Sequence, residues 1–84
     1  MGKKFLAGDC FEIGRAAYLS EDFYHTVLWM QEALDRLVGE KEKTADIEDV
    51  LEYLAFGLYK QGNLKHALRL TDQLYRIGFY EIGF

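Results

Sequence analysis

Apolar positions along this chain recur with helical spacing in four blocks, each bounded by a polar turn. Asp9 followed by Glu12 has the spacing of a capping box and opens a first helix expected over residues 9–19, with Leu6, Ile13, Ala16 and Ala17 on its narrow apolar face. Ser20-Glu21-Asp22 is a short acidic turn that caps a second helix over residues 23–38, and Gly39 stands where a left-handed C-terminal cap belongs. Residues 40–43 read as a solvated loop. Thr44 or Asp46 starts a third helix over residues 47–61. Gly62-Asn63 then makes a turn, with Asn63 as N-cap of a fourth helix over residues 64–77 that Gly78 ends. Residues 79–84 are apolar and too few to hold a helix of their own. The predicted architecture is all-α: one domain of two helical hairpins, about 9–38 and 46–77, joined by loop 39–45 and followed by a tail, 78–84.

The two hairpins repeat at an offset of 41 residues. Ile13 matches Leu54, Gly14 matches Ala55, Ala17 matches Leu58 and Tyr18 matches Tyr59. Asp22-Phe23 matches Asn63-Leu64, His25 matches His66, Thr26 matches Ala67 and Ala33 matches Leu74. Small residues recur where two helices of a hairpin must approach closely. The pattern is that of a tetratricopeptide-like solenoid widened by a long loop between repeats. The first helix of each hairpin is expected to line the concave face, which makes the third helix a binding helix.

That third helix carries two apolar faces. With about 100° of rotation per residue and Tyr53 set at zero, Leu51, Leu54, Ala55 and Leu58 cluster between roughly 100° and 200°. Phe56 falls near 300° and Tyr59 near 240°, with the carboxylate of Glu52 between them at about 260°. An acid inside an aromatic stripe suits a groove for an extended ligand better than a core. The alternative is that a neighbouring helix covers these rings as ordinary core.

Half of the 84 residues are hydrophobic and 15% are aromatic, which argues against disorder, and the absence of proline favours helix. Fourteen acids against ten bases give a net charge of −4, which opposes a nucleic-acid binder. No apolar run approaches the roughly 20 residues of a membrane span. The opening Met-Gly-Lys-Lys-Phe-Leu has no long apolar stretch or cleavage site, so no signal peptide is expected. Cys10 is the sole cysteine and is expected as a small buried group. His25 and His66 lack a second ligand at i+4, so no metal site is expected, and Trp29 is expected to anchor the packing between hairpins. Asp46, Glu48 and Asp49 read as helix-start charge, while Glu52 is the carboxylate placed to meet a ligand.

Between Gly8 and Tyr75 the chain resembles the peptide-substrate-binding domain of the collagen prolyl 4-hydroxylase α subunit. The resemblance is carried by Asp9-Cys10-Phe11-Glu12-Ile13-Gly14-Arg15 and by Asp22-Phe23-Tyr24-His25-Thr26-Val27-Leu28-Trp29-Met30-Gln31-Glu32-Ala33-Leu34. It continues in Val50-Leu51-Glu52-Tyr53-Leu54 and Tyr59-Lys60-Gln61-Gly62-Asn63-Leu64. The His-Thr-x-x-Trp-Met run is not required by generic tetratricopeptide repeats. The resemblance implies binding of proline-rich procollagen segments by third-helix tyrosines, which correspond here to Tyr53, Phe56 and Tyr59. Two positions depart from the family: Glu52 stands where aspartate is usual, and Phe56 lacks a hydroxyl. After Leu74 the family's pattern runs into an Asp-Pro turn and a fifth helix with further binding residues, and Gly78-Phe79-Tyr80 does not match it. Tyr18 and Tyr24 stand at family positions that make them candidates for partial exposure to the groove.

The resemblance also implies a parent in the endoplasmic reticulum lumen that uses iron, 2-oxoglutarate and ascorbate. Its iron set needs His-x-Asp with a distant His. Val27 and Leu68 stand two residues after the histidines here, so the chain itself is expected to be noncatalytic and free of cofactors.

A polyproline II strand repeats every three residues, about 9.3 Å, and residues six apart on a helix lie about 9 Å apart along its axis. Tyr53 and Tyr59 are thus spaced to meet equivalent prolines one ligand turn apart, and tyrosine hydroxyls donate to the carbonyls that proline leaves unpaired. Two rival readings stand beside this one: a general tetratricopeptide adaptor, and a self-associating module forming a homodimer through the stripe and the apolar tail. An adaptor that clamps a terminal carboxylate needs converging cations, and Lys60 stands alone at the edge of the stripe.

Overall fold

Short connections force consecutive helices to lie antiparallel. The computed structural model describes residues 5–81, and the side chains there other than those of 74, 75 and 77–81. It contains α1 (Ala7–Leu19), α2 (Phe23–Gly39), α3 (Ile47–Lys60) and α4 (Leu64–Glu81), with no strand among the described residues. Successive helices pack against one another, and α3 also touches α1, which is the stacking of two hairpins in a tetratricopeptide-like solenoid. The radius of gyration, 13.0 Å, exceeds the roughly 12 Å of an 84-residue globule, as an open stack should.

The 41-residue repeat is reproduced in the backbone at both hairpin turns. Glu21 and Gly62 occupy equivalent positions, and both adopt positive φ, at 61° and 85°. Each turn closes with the same bonds: Asp22 N–H donates to the Ala17 carbonyl at 2.8 Å, and Asn63 N–H to that of Leu58 at 2.9 Å. The next helix opens alike, Thr26 N–H donating to Asp22 and Ala67 N–H to Asn63. Glycine fits the left-handed backbone at position 62, whereas Glu21 adopts it at a steric cost.

Small residues set how closely the helices approach. A Cβ on Gly14 would stand 2.9 Å from Met30 Cε, so α1 lies directly on α2. A Cβ on Gly57 would stand 2.9 Å from Val27 Cγ2 and 3.2 Å from Thr26 Cγ2, so the second hairpin rests on the first through this residue. Around these approaches Cys10, Met30, Ala33, Val50, Leu51 and Leu54 are buried in one core. Cys10 is the expected small buried group, and burial pushes its thiol pKa up. The buried hydroxyl of Thr26 is satisfied by donating to the Asp22 carbonyl at 2.9 Å. Trp29 meets the ring of Phe5, from the lead-in to α1, at 5.9 Å.

Several element ends differ from the sequence expectation. Helix α1 starts at Ala7, with Leu6 as N-cap, so Asp9 is its third residue and accepts from Leu6 N–H at 2.9 Å. Glu12 takes no part in that cap and pairs with Arg15 at 3.7 Å. Leucine has no acceptor to offer, and the first-turn N–H groups find partners far along the chain. Ala7 N–H donates to Glu40 Oε2 at 2.7 Å, and Gly8 N–H to Thr44 Oγ1 at 2.8 Å. Glu40 Oε1 in turn accepts from Thr44 N–H and its hydroxyl. The loop is exposed over residues 41–44 as expected, but Glu40 and Thr44 within it also form a tertiary cap for α1.

Gly39 is not left-handed. It is the last residue of α2, and the chain leaves through an extended Glu40 (φ −87°, ψ 131°). Lys43 Nζ donates to the carbonyls of Leu37 and Glu40 at 2.8 and 2.6 Å, which replaces a glycine cap with a cationic one. Asp46 rather than Thr44 caps α3, accepting from Glu48 N–H at 2.8 Å, and α3 ends at Lys60. Helix α4 continues through Gly78 to Glu81, past the expected end at residue 77. Six residues cannot nucleate a helix, but extending one already formed adds a bond per residue, and one glycine costs only about 1 kcal/mol. Residues 82–84 of the expected tail, and the side chain of Leu74 in the repeat match, lie outside the described residues.

Two outcomes are expected. Gly57→Ala adds a methyl against Val27 and Thr26, a clash that exceeds the gain in helix propensity by about 1 kcal/mol and lowers the melting temperature by roughly 5 °C. Backbone hydrogen bonds from Ala7 and Thr44 hold the Glu40 carboxyl below its ordinary 4.5, so its contribution is present above that pH and lost on acidification through the lower folded value. Glu40→Ala should therefore melt earlier than the parent at pH 7 in a calorimetric scan, with the gap closing as the pH falls below about 4.5.

Candidate functional site: an aromatic face and an apolar groove

The stripe on α3 is divided by its neighbours. Tyr53 is half-buried, Phe56 is 44% exposed and Tyr59 is 64% exposed, while Glu52 between them is open to solvent. The gradient follows the helix arc: Tyr53 lies at the edge nearest α1, where Phe11 and Tyr18 meet it at 5.5 and 5.4 Å, both edge to face. Phe56 lies 6.4 Å from Tyr53 and 6.2 Å from Tyr18. Tyr18 reaches on to Phe23 at 5.6 Å. Tyr53 thus follows the core alternative in part, whereas Phe56 and Tyr59 follow the groove reading in their exposure.

On the side away from α1, Phe56 and Tyr59 form one wall of a groove of about 490 Å³ between α3 and α4. Leu64 and Leu68 of α4 face them, Ala55 and Ala67 lie between the helices, and Lys60 and Thr71 complete the lining. The two alanines stand at the repeat equivalents of Gly14 and Thr26, so the same small positions that let hairpins pack leave a trough here. The groove is almost wholly apolar apart from Lys60, whose Nζ lies 6.0 Å from the centroid of the Phe23 ring. The four sequence-selected residues therefore do not converge on one pocket. Phe56 and Tyr59 line the groove, Tyr53 belongs to the ring cluster with α1, and Glu52 is exposed to solvent outside both the groove lining and the ring cluster.

Sequence reasoning did not select Phe11, Phe23, Leu64 or Leu68. The first of these was legible: Phe11 and Tyr18 are seven apart on α1, one stripe two turns long, opposite the stripe on α3. Leu64 and Leu68 are four apart but look like core positions, and they are 52% and 70% exposed, with no described helix packed over them. Tyr24, a candidate for the groove, is exposed on α2 with its ring edge-on to His25.

The histidines serve locally. His25 Nδ1 lies 2.7 Å from Asp22 Oδ2, and His66 is exposed. Bonds from His25, first its backbone N–H and then its ring, hold the Asp22 carboxyl below its ordinary value. Among the described residues no three His, Cys, Asp or Glu side chains are grouped to hold a metal. No helix there is long and apolar enough to cross a membrane.

Two stacked hairpins of antiparallel helices define a tetratricopeptide-like class. Residues 7–80 match the model of the prolyl 4-hydroxylase peptide-substrate-binding domain, and the chain belongs to that family. It is 66% identical over 73 residues to the prolyl 4-hydroxylase subunit alpha-1 of Caenorhabditis elegans, across 87% of this chain and 13% of the relative. The subunit alpha-2 of the same organism is 44% identical over 77 residues, 92% of this chain and 14% of the relative. The human subunit alpha-1 is 49% identical over 73 residues, 86% of this chain and 14% of the relative. The chain thus spans 13–14% of the length of these relatives.

Proposed function

We propose that this domain binds proline-rich, collagen-like peptide in polyproline II form, with Tyr53, Phe56, Tyr59 and Glu52 as its contact residues. In this reading it is the noncatalytic substrate-binding module of a procollagen-proline 4-hydroxylase, and the chemistry of iron, 2-oxoglutarate and ascorbate belongs to the longer protein in the endoplasmic reticulum lumen. The observation that carries the reading is the exposure of Phe56 and Tyr59 on the wall of an apolar trough, in a chain of the peptide-substrate-binding family. Proline rings stack on flat aromatic faces, and a strand already stiff in solution loses little entropy on binding. The Tyr59 hydroxyl is a donor for a proline carbonyl.

Burial of about 100 Å² per ring at about 25 cal/mol per Å² gives roughly 2.5 kcal/mol gross each. Association costs consume much of that sum, which places the dissociation constant between about tens of micromolar and millimolar. Repeated weak sites along a collagen chain raise residence through avidity.

A second reading, self-association, is favoured by Leu64 and Leu68, whose exposure leaves the far wall of the groove uncovered. Size-exclusion chromatography with and without peptide separates the two, since a dimer indifferent to peptide supports assembly.

In a calorimetric titration with a Pro-Pro-Gly repeat peptide, Tyr59→Ala should weaken binding several-fold with the melting temperature unchanged, because the ring has little packing to lose. Tyr53→Ala should weaken it at least as much and also lower stability, because Phe11 and Tyr18 lose a partner, so affinity is read well below the melting point. Unchanged affinity in both variants would rule out this face. Restoring the hydroxyl with Phe56→Tyr should tighten binding slightly, and a loss would mean that the ring position is apolar packing.

A further inference from the structure

Tyr18 lies outside α3 yet touches both inner rings of its stripe. Its ring has three aromatic neighbours: Tyr53 at 5.4 Å and 84°, Phe56 at 6.2 Å and 36°, and Phe23 at 5.6 Å and 66°. The repeat supplies an internal control. Tyr59 is the equivalent residue of the second hairpin, and among the described residues no ring lies against it. Identical residues in identical turns thus have different surroundings because α3 covers the first and no described helix covers the second.

We propose that Tyr18 is a positioning residue of the peptide site: packed from α1 against both Tyr53 and Phe56, which also meet each other at 6.4 Å, it fixes the planes those two rings present to a ligand. This rests on the peptide-binding reading of α3. Tyr53, half-buried, and Phe56, exposed, stand three residues apart on α3, and a ring without neighbours there would have more than one staggered χ1 well. Stacking on a stiff strand needs both planes held at once, and every rotamer still free is an ordering cost at binding. Tyr18 removes that freedom in advance, from a helix of the other hairpin, so the site's shape is set by how the hairpins seat on each other. The hydroxyl has no part in this, since the contacts are between rings.

The test uses Tyr18→Leu, which keeps apolar bulk and removes the ring, and Tyr18→Phe, which keeps the ring. In the ligand-free chain, aromatic NMR should show the Tyr53 and Phe56 ring resonances displaced in Tyr18→Leu and unmoved in Tyr18→Phe. NMR titration with a Pro-Pro-Gly repeat peptide should show about fivefold weaker binding for Tyr18→Leu, the factor one ring pair supplies, and a change under twofold for Tyr18→Phe. In a Tyr53→Leu background, Tyr18→Leu should cost clearly less than that, which a general loss of stability would not produce. Ring resonances unmoved by Tyr18→Leu, or the full fivefold loss retained without Tyr53, overturns the proposal. If Tyr18→Leu does not fold, Tyr18→Met is read by the same criteria. A parent chain that binds no peptide defeats the reading of α3 instead, and the ring resonances still judge Tyr18 on their own.

Discussion

The close approach of α3 to α2 at Gly57 is the constraint on which the rest depends. Without a side chain there, the second hairpin sits directly on Val27 and Thr26 of the first. That seating buries Val50, Leu51 and Leu54 with Met30 and Ala33 in one continuous core. It also carries the inner edge of α3 up to α1, where Tyr53 meets Phe11 and Tyr18. A stack of two repeats has little other long-range contact to rely on, because each unit buries its apolar face only against its neighbour.

The same approach divides the aromatic face into two regions with different work. Near α1 the rings brace one another. Farther round the arc, Phe56 and Tyr59 are free to be covered, and they border a trough that α4 closes with leucines. The chain belongs to the prolyl 4-hydroxylase peptide-substrate-binding family, and the aromatic face of α3 is part braced by α1 and part open wall.

A second long-range device holds the other end of the stack. Helix α1 begins after Leu6, a residue with no acceptor, and its first N–H groups are satisfied by Glu40 and Thr44, more than thirty residues later. Lys43, in the same segment, caps the end of α2. Three residues of a polar stretch, Glu40, Lys43 and Thr44, are thus the clasp between the first hairpin and the connection to the second. Local rules for helix ends fail here for a definite reason: they weigh only side chains within one turn, and these partners come from across the fold.

Sequence by itself determined the four helices, their order and their pairing. Apolar spacing marks the buried face of α3, although on α1 the buried residues are Ala7, Cys10 and Gly14 rather than the expected Leu6, Ile13, Ala16 and Ala17. The turns at Ser20-Glu21-Asp22 and Gly62-Asn63 break the helices, and the 41-residue repeat reappears in the bonds that close both turns. It also placed the aromatic arc on α3, since residue spacing on a helix fixes angle. Which part of that arc is covered was left to packing, because coverage depends on where α1 crosses and where no described helix lies alongside. Tyr18 and Tyr59 make the point: they are the same residue at the same repeat position, yet one is boxed in by rings and the other is open, for what stands beside a helix is not written in its own periodicity.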